Sequence, residues 1–240
     1  MASISERALP GQTGASRKSL ALAKLIAQFS ANRPIRTILV VGCGSGDDAR
    51  ALAGYFNTQV EAIDLENYFV GTENTPVRFT QMNACELEFP DGTFDLVYSF
   101  HALEHIPDYK AAISEMRRVL KPGATYCIGT PNRRRLVGYL GVPGYSTRQK
   151  VWSNVIDWKL RLQGRFRNEL GAHAGFAANE LLAICSVIGP GRCIHDEYYA
   201  SLYAGHRYAI AAIGALRLGW VAWPSVYVLG RRSEEGNSFG

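Results

Sequence analysis

Ile38-Leu39-Val40-Val41-Gly42-Cys43-Gly44-Ser45-Gly46-Asp47-Asp48 is the stretch that decides the fold. Four apolar residues, two of them valines, read as a buried strand, and glycines at alternate positions follow at once. Glycine lets the backbone turn sharply there, and lets a ligand come closer than any Cβ would permit. Asp47 and Asp48 then open a helical stretch, Ala49 to Ala53, as acidic residues do in a first turn. Strand, glycine turn and helix make the opening unit of a nucleotide-binding α/β fold. A dinucleotide fingerprint would place its third glycine at position 47, where this chain has Asp47. Pyrophosphate needs the bare positive end of a helix, and two carboxylates in that turn repel it. They suit a ligand with cationic groups and no phosphate.

Upstream, Leu22, Leu25, Ile26 and Phe29 fall at i, i+3, i+4 and i+7, so an amphipathic helix precedes the strand. Ser3 to Ser16 reads as a polar arm. Downstream, Thr58 to Asp64 reads as a second strand ending on a carboxylate, which can accept two ribose hydroxyls or merely close a turn. Val77 to Met82 reads as a third strand, with Asn83-Ala84 after it. Asp91-Gly92 is a turn, and Phe94 to Phe100 is the fourth strand. His101-Ala102-Leu103-Glu104-His105 stands at its carboxyl end, where α/β sheets place ligands. That stretch also fits His-x-x-Glu-His, a zinc pattern that needs a helix; at a strand tip no metal is assigned, a divalent ion being the lesser alternative.

Tyr109 to Leu120 reads as a helix stopped by Lys121-Pro122-Gly123, and Ala124 to Thr130 as strand five. Asn179 to Ile188 reads as a helix, Arg192 to Tyr199 as strand six and Pro224 to Arg231 as strand seven. Between these strands, Arg207 to Trp223 is apolar, with charge-free runs too short to span a bilayer. Core packing is the expectation for it, with a membrane surface or a dimer face as alternatives.

Gly42-x-Gly44-x-Gly46, Val60-Glu61-Ala62-Ile63-Asp64-Leu65 and Phe89-Pro90-Asp91-Gly92-Thr93-Phe94-Asp95-Leu96-Val97 occur in series. Leu103-Glu104-His105-Ile106 and Arg118-Val119-Leu120-Lys121-Pro122-Gly123 follow. This series, within residues 37–130, resembles the class I S-adenosylmethionine-dependent methyltransferases, in particular the small-molecule, quinone and glycan group with Leu-Glu-His after strand four. The resemblance implies a Rossmann-like, doubly wound α/β sheet of seven strands in the order 3-2-1-4-5-7-6, strand seven antiparallel. It implies an arm and covering helix over residues 1–36, and a methyltransferase domain over 37–240 with a lid at 131–177. It also implies S-adenosyl-L-methionine as cofactor, held by Gly42, Cys43, Gly44, Gly46, Asp64, Leu65, Asn83, Ala84 and Phe100. Asp64 would hold the ribose and Leu65 the adenine. Asn83 stands where the family usually has an aspartate, though its carbonyl oxygen can accept the same hydrogen bond. Val40 stands where many relatives carry an acid. These two departures leave open a non-catalytic cofactor-binding or partner-binding relative.

The 240 residues, 47% hydrophobic and 20% charged, fit one ordinary globular α/β domain. The five cysteines show no C-x-x-C spacing and read as buried thiols of a reducing compartment. Residues 1–18 have no apolar segment of a secretory signal. A cytoplasmic location is therefore expected, with peripheral membrane contact as an option. Residues 131–177 carry nine basic residues against two acidic, so the lid is +7 on a body of −2. That charge, with Tyr139, Tyr145, Trp152, Trp158 and Phe166 among it, predicts an acceptor bearing an anionic group, an anionic membrane nearby or a solvated face. The expected reaction is methyl transfer to a small, lipid-linked or glycan acceptor, by O-methylation. An oxygen acceptor needs a base, and imidazole suits: His101 first, His173 second. Nucleic acid is disfavoured as a partner, because Pro-rich nucleophile-loop motifs and an RNA-binding module are missing. RNA methylation, prompted by the basic lid, is the enzymatic alternative. The sequence does not specify an oligomeric state.

Overall fold

The computed structural model describes residues 14–70, 76–139, 144–170, 173–216 and 218–234. The arm expected from Ser3 lies outside them, apart from its last three residues. The chain runs α1 (Gly14–Phe29), β1 (Ile38–Val41), α2 (Asp47–Phe56), β2 (Val60–Asp64), β3 (Val77–Gln81), β4 (Phe94–Phe100) and α3 (Tyr109–Val119). It continues as β5 (Leu120–Pro131), α4 (Thr147–Leu162), α5 (Ala178–Cys185), β6 (Gly191–Cys193), α6 (His195–Leu202), α7 (Arg207–Ala215), α8 (Gly219–Ala222) and β7 (Ser225–Arg231). The seven strands form one sheet in the order β3-β2-β1-β4-β5-β7-β6. β7 runs antiparallel to β5 and β6, and the other pairs are parallel. This is the predicted topology.

All four residues of β1 are buried, because helices cover both faces of a parallel sheet and each face needs an apolar side chain. Ile38 and Val40 join the core shared with Leu22, Ile26 and Leu52 of α1 and α2. Leu39 and Val41, pointing the other way, join Ile113, Met116 and Leu181 of α3 and α5. The basic insert leaves the sheet after β5 and returns beside its own start, where Asn132 bridges Phe176 and Phe176 N donates to Pro131 O at 3.1 Å.

Three expectations are corrected. Strand six is only Gly191–Cys193, and the chain turns into α6 at His195. Asp196 and Glu197 in that first turn complement the positive helix end, while the buried Tyr198 and Tyr199 face the core. Lys121-Pro122-Gly123 does end α3, but β5 begins immediately at Leu120. The tripeptide forms an irregularity inside the strand, between the pairs Phe94–Leu120 and Leu96–Thr125. Finally, α7 is a surface helix: Ile210 and Ile213 touch the core, whereas Tyr208 and Leu216 are exposed. No helix among the described residues is long and apolar enough to cross a membrane.

Candidate active site

The glycine loop is pinned to β2, since Gly42 N and Cys43 N both donate to Ile63 O at 2.9 and 3.0 Å. Its three glycines have φ of +72°, +50° and +85°, a region that side chains disfavour. They differ in what surrounds them. A Cβ at Gly42 would lie 2.1 Å from that of Ala102, and one at Gly46 would lie 2.3 Å from the Phe69 ring. At Gly44 a Cβ would meet nothing within 4 Å, so this glycine alone of the three opens onto space. Asp64, at the tip of β2, accepts Gly44 N at 2.8 Å and Glu66 N at 3.3 Å, one on each oxygen. Each oxygen keeps a further lone pair. Leu65 beside it is 66% exposed. Gly42, Gly44, Asp64 and Leu65 are thus brought together as expected.

Other residues take different places. Asn83 Oδ1 accepts Cys85 N at 3.0 Å, closing a turn of its own, and Ala84 packs on the core edge. Cys43 is buried, and burial with the charge of Asp64 pushes its thiol up to about 12, so it is no nucleophile. The two helix-end carboxylates do not both face a ligand. Asp47 pairs with Arg50 at 2.6 Å. Asp48 turns inward, taking hydrogen bonds from Ser19 and, at 3.0 Å, from Tyr98. Burial raises its pKa above the usual carboxylate range, so it fastens α1 to the sheet.

At the end of β4, Phe100 lines a cleft and stacks on Tyr227 at 5.4 Å. His101 follows in left-handed backbone, φ +55°, an uncommon state for a residue with a side chain. Its Nε2 stands 3.0 Å from Ser225 Oγ, a contact across three strands that fixes the ring. His101 and His173 both line this cleft of about 490 Å³, with Lys18, Arg135 and Ser225. Six tyrosines complete its apolar walls: Tyr139, Tyr145, Tyr198, Tyr199, Tyr203 and Tyr227. The His101 ring is open to cleft water yet deep in the fold. That depth, then the charges of Arg135, Lys18 and the neighbouring imidazoles, hold its pKa below the ordinary imidazole value. The His173 ring meets the edge of His105 at 4.7 Å.

Leu103–His105 is a short 3-10 turn. The helix that a His-x-x-Glu-His zinc site requires is not formed, and among the described residues no group of three potential ligands is placed to hold a metal ion. Glu104 in that turn is buried, its carboxylate oxygens without a hydrogen-bond partner. Burial pushes its pKa up to about 7.

The charge of the basic insert is partly internal. Arg135 is buried and pairs with Asp157 at 2.7 Å. It also donates to the carbonyls of Asn132, His173 and Ala174 at 3.1 to 3.3 Å. Arg161 donates to Arg135 O, and Arg133 pairs with Glu180. Of the nine basic residues counted in the insert, only Arg135 lines the cleft, joined by Lys18 from α1. Lys18, Ser225 and the tyrosines of α6 and β7 escaped the sequence reading. Reading 192–199 as a strand hid the clustering of Tyr198, Tyr199 and Tyr203, which the acidic pair Asp196-Glu197 would have revealed as helical.

Residues 39–128 match a family described as a methyltransferase domain. The chain is 38% identical over 107 residues to 2-methyl-6-phytyl-1,4-hydroquinone methyltransferase of Synechocystis sp., covering 42% of this chain and 34% of that protein. It is 36% identical over 115 residues to "Probable tocopherol O-methyltransferase, chloroplastic" of Oryza sativa subsp. japonica, covering 44% and 32%. The matched region spans about a third of the length of these curated relatives. Among solved structures, the plantazolicin methyltransferase BpumL in complex with a monoazolic desmethylPZN analog and SAH superposes with a TM-score of 0.63. Identity there is 12%, over 92% of this chain and 85% of that one, a likeness of fold. The strand order is the one predicted for the class I, S-adenosylmethionine-dependent methyltransferase fold, and residues 39–128 within it match a methyltransferase domain.

Proposed function

We propose that this chain binds S-adenosyl-L-methionine beside Gly44 and Asp64 and methylates an oxygen of a small aromatic acceptor, phenol-like or quinol-like, seated in the tyrosine-lined cleft. The residues present fit that cofactor. Gly44 leaves open space, and Asp64 keeps acceptor capacity for ribose hydroxyls. When bound, S-adenosyl-L-methionine supplies an electrophilic methyl group on a positively charged sulfur.

The chain's part is to position the acceptor, exclude water and take a proton. Tyrosine faces favour a flat ring with an apolar body, in keeping with the hydroquinone and tocopherol named for the two relatives. Arg135 and Lys18 favour a negative group on the acceptor. His101 is the base: with Nε2 held at Ser225, Nδ1 is the atom that takes the acceptor's proton. The observation that supports this most is adjacency. Gly42 packs on Ala102, the residue next to His101, so the glycine loop lies against the backbone that carries a cleft-lining side chain. Residues 131–177 act as the lid over that cleft.

The test uses methyl-labelled cofactor with phenols and quinols of increasing chain length. Label transfer is expected, falling ~10²- to 10⁴-fold in His101→Ala, the usual worth of a general base, with cofactor affinity by calorimetry unchanged. Absence of cofactor binding would end the reading. Binding without transfer to any acceptor of this class would end its acceptor half.

A further inference from the structure

Helix α4 is turned inside out. Its inward stripe is polar: Lys150, Asn154, Asp157 and Arg161, at i, i+4, i+7 and i+11, are half-buried or buried. Asn154 bonds Gly138, Asp157 bonds Arg135, and Arg161 donates to Arg135 O. The outward stripe at the same spacing is apolar: Val151, Val155, Trp158 and Leu162 are 58%, 51%, 43% and 87% exposed. Trp152, beside them, is 66% exposed. Amphipathic helices of globular domains have the opposite arrangement. The apolar surface continues past the helix. Trp158 Nε1 donates to Leu136 O, and Leu136 N donates to Val221 O in α8. Leu136 and Val137, both about half exposed, therefore join α4 to Trp220, which is 50% exposed.

Charge selects the occupant. Arg148, Lys159, Arg165 and Arg167 are exposed along the same segment. From 144 to 167 the single acid is Asp157, which is buried against Arg135. A second copy of the chain on this face would set those cations against their own kind, since a two-fold interface repeats one patch on both sides. An anionic bilayer offers the complementary pairing: acyl chains for the valine, leucine and tryptophan side chains, headgroups for the arginines and lysine.

We infer that α4, with residues 136–137 and Trp220, lies on the surface of an anionic membrane. Ser153, on the same helix, lines the cleft, so the contact would hold the cleft mouth close to the bilayer. The inference goes beyond the enzymatic reading and does not depend on it.

The experiment is co-sedimentation of the full chain with vesicles of phosphatidylcholine alone, or of equal parts phosphatidylcholine and phosphatidylglycerol. Sedimentation with the mixed vesicles, weakened by salt, is expected, with a blue shift of tryptophan emission that Trp152→Ser diminishes. Arg148→Gln with Lys159→Gln should weaken vesicle binding roughly thirtyfold, at the usual worth of a basic residue near an anionic surface. These side chains are exposed, so unchanged thermal unfolding will confirm intact folding. Equal binding by the wild type and both variants would overturn the assignment, as would failure to bind the mixed vesicles. A dimer in solution abolished by Trp152→Ser would overturn it too, by assigning the face to a second copy.

Discussion

At the scale of single residues, the glycine loop separates two roles that share one backbone conformation. Gly42→Ala forces a methyl group 2.1 Å from the Ala102 Cβ at φ +72°. Backbone strain and overpacking together should cost about 3 kcal/mol or more. Gly44→Ala meets nothing within 4 Å, so stability should fall by only about 1 kcal/mol, the cost of a left-handed side chain. Its methyl group, however, would fill the open space proposed for the cofactor. Thermal unfolding with cofactor calorimetry checks this: Gly42→Ala should fail in the first, Gly44→Ala in the second. Glu104 offers a test of sign. Its pKa in the fold is raised from 4.5 to about 7, so folding retains a proton that the unfolded chain releases. Stability is therefore full below pH 4.5, declines as pH rises towards 7, and stays lowered above it. Glu104→Gln removes that loss. The variant should gain up to about 3 kcal/mol relative to the wild type between pH 4.5 and pH 8, measured by chemical denaturation. A constant difference across that range would show that Glu104 does not carry the proton.

Among elements, legibility followed burial and locality. β1 and β4 could be read directly because helices on both faces demand unbroken apolar runs, and Asp64 because a strand ends on it. α6 could not, since three residues of edge strand lead into it and its tyrosines suit either structure. The partnership of His101 with Ser225 joins the end of β4 to the start of β7, and only the spatial strand order brings them together. The basic insert at 131–177 was legible as a run of charge, but the destination of each charge was not. Arg135, one of three consecutive arginines, is the strut of the insert: a single guanidinium gathers Asp157 and three backbone carbonyls from its two ends. Removing one partner of such a pair strands the other's charge in a dry place. Arg135→Met should cost about 3–5 kcal/mol and expose residues 144–170 to protease. Arg135→Met with Asp157→Leu should recover a large part of that loss. A double variant no more stable than the single one would mean that the carbonyl contacts, and not the ion pair, hold the insert.

Across the whole molecule, the cleft collects positive potential from elements far apart in sequence: Lys18 on α1, Arg135 just after β5, and the imidazoles of His105 and His173. That field, added to the depth of the site, keeps His101 below its ordinary value of 6.5. The imidazole is then neutral throughout the neutral range, and a weaker base than free imidazole. In the free enzyme, the acid limb of kcat/KM should lie below pH 6.5. An anionic acceptor cancels part of the field from Arg135 and Lys18, so the imidazole pKa rises in the complex. The acid limb of kcat, which reports the complex, should therefore lie at higher pH than that of kcat/KM. An uncharged analogue should leave the two limbs together. Lys18→Gln removes one of the opposing charges, and should move the kcat/KM limb upward while leaving the limb visible. Rate profiles measured with an acidic acceptor and its methyl ester provide the comparison. Limbs that coincide for both acceptors would remove the anionic group from the acceptor, and an acid limb that persists in His101→Ala would remove His101 as the base.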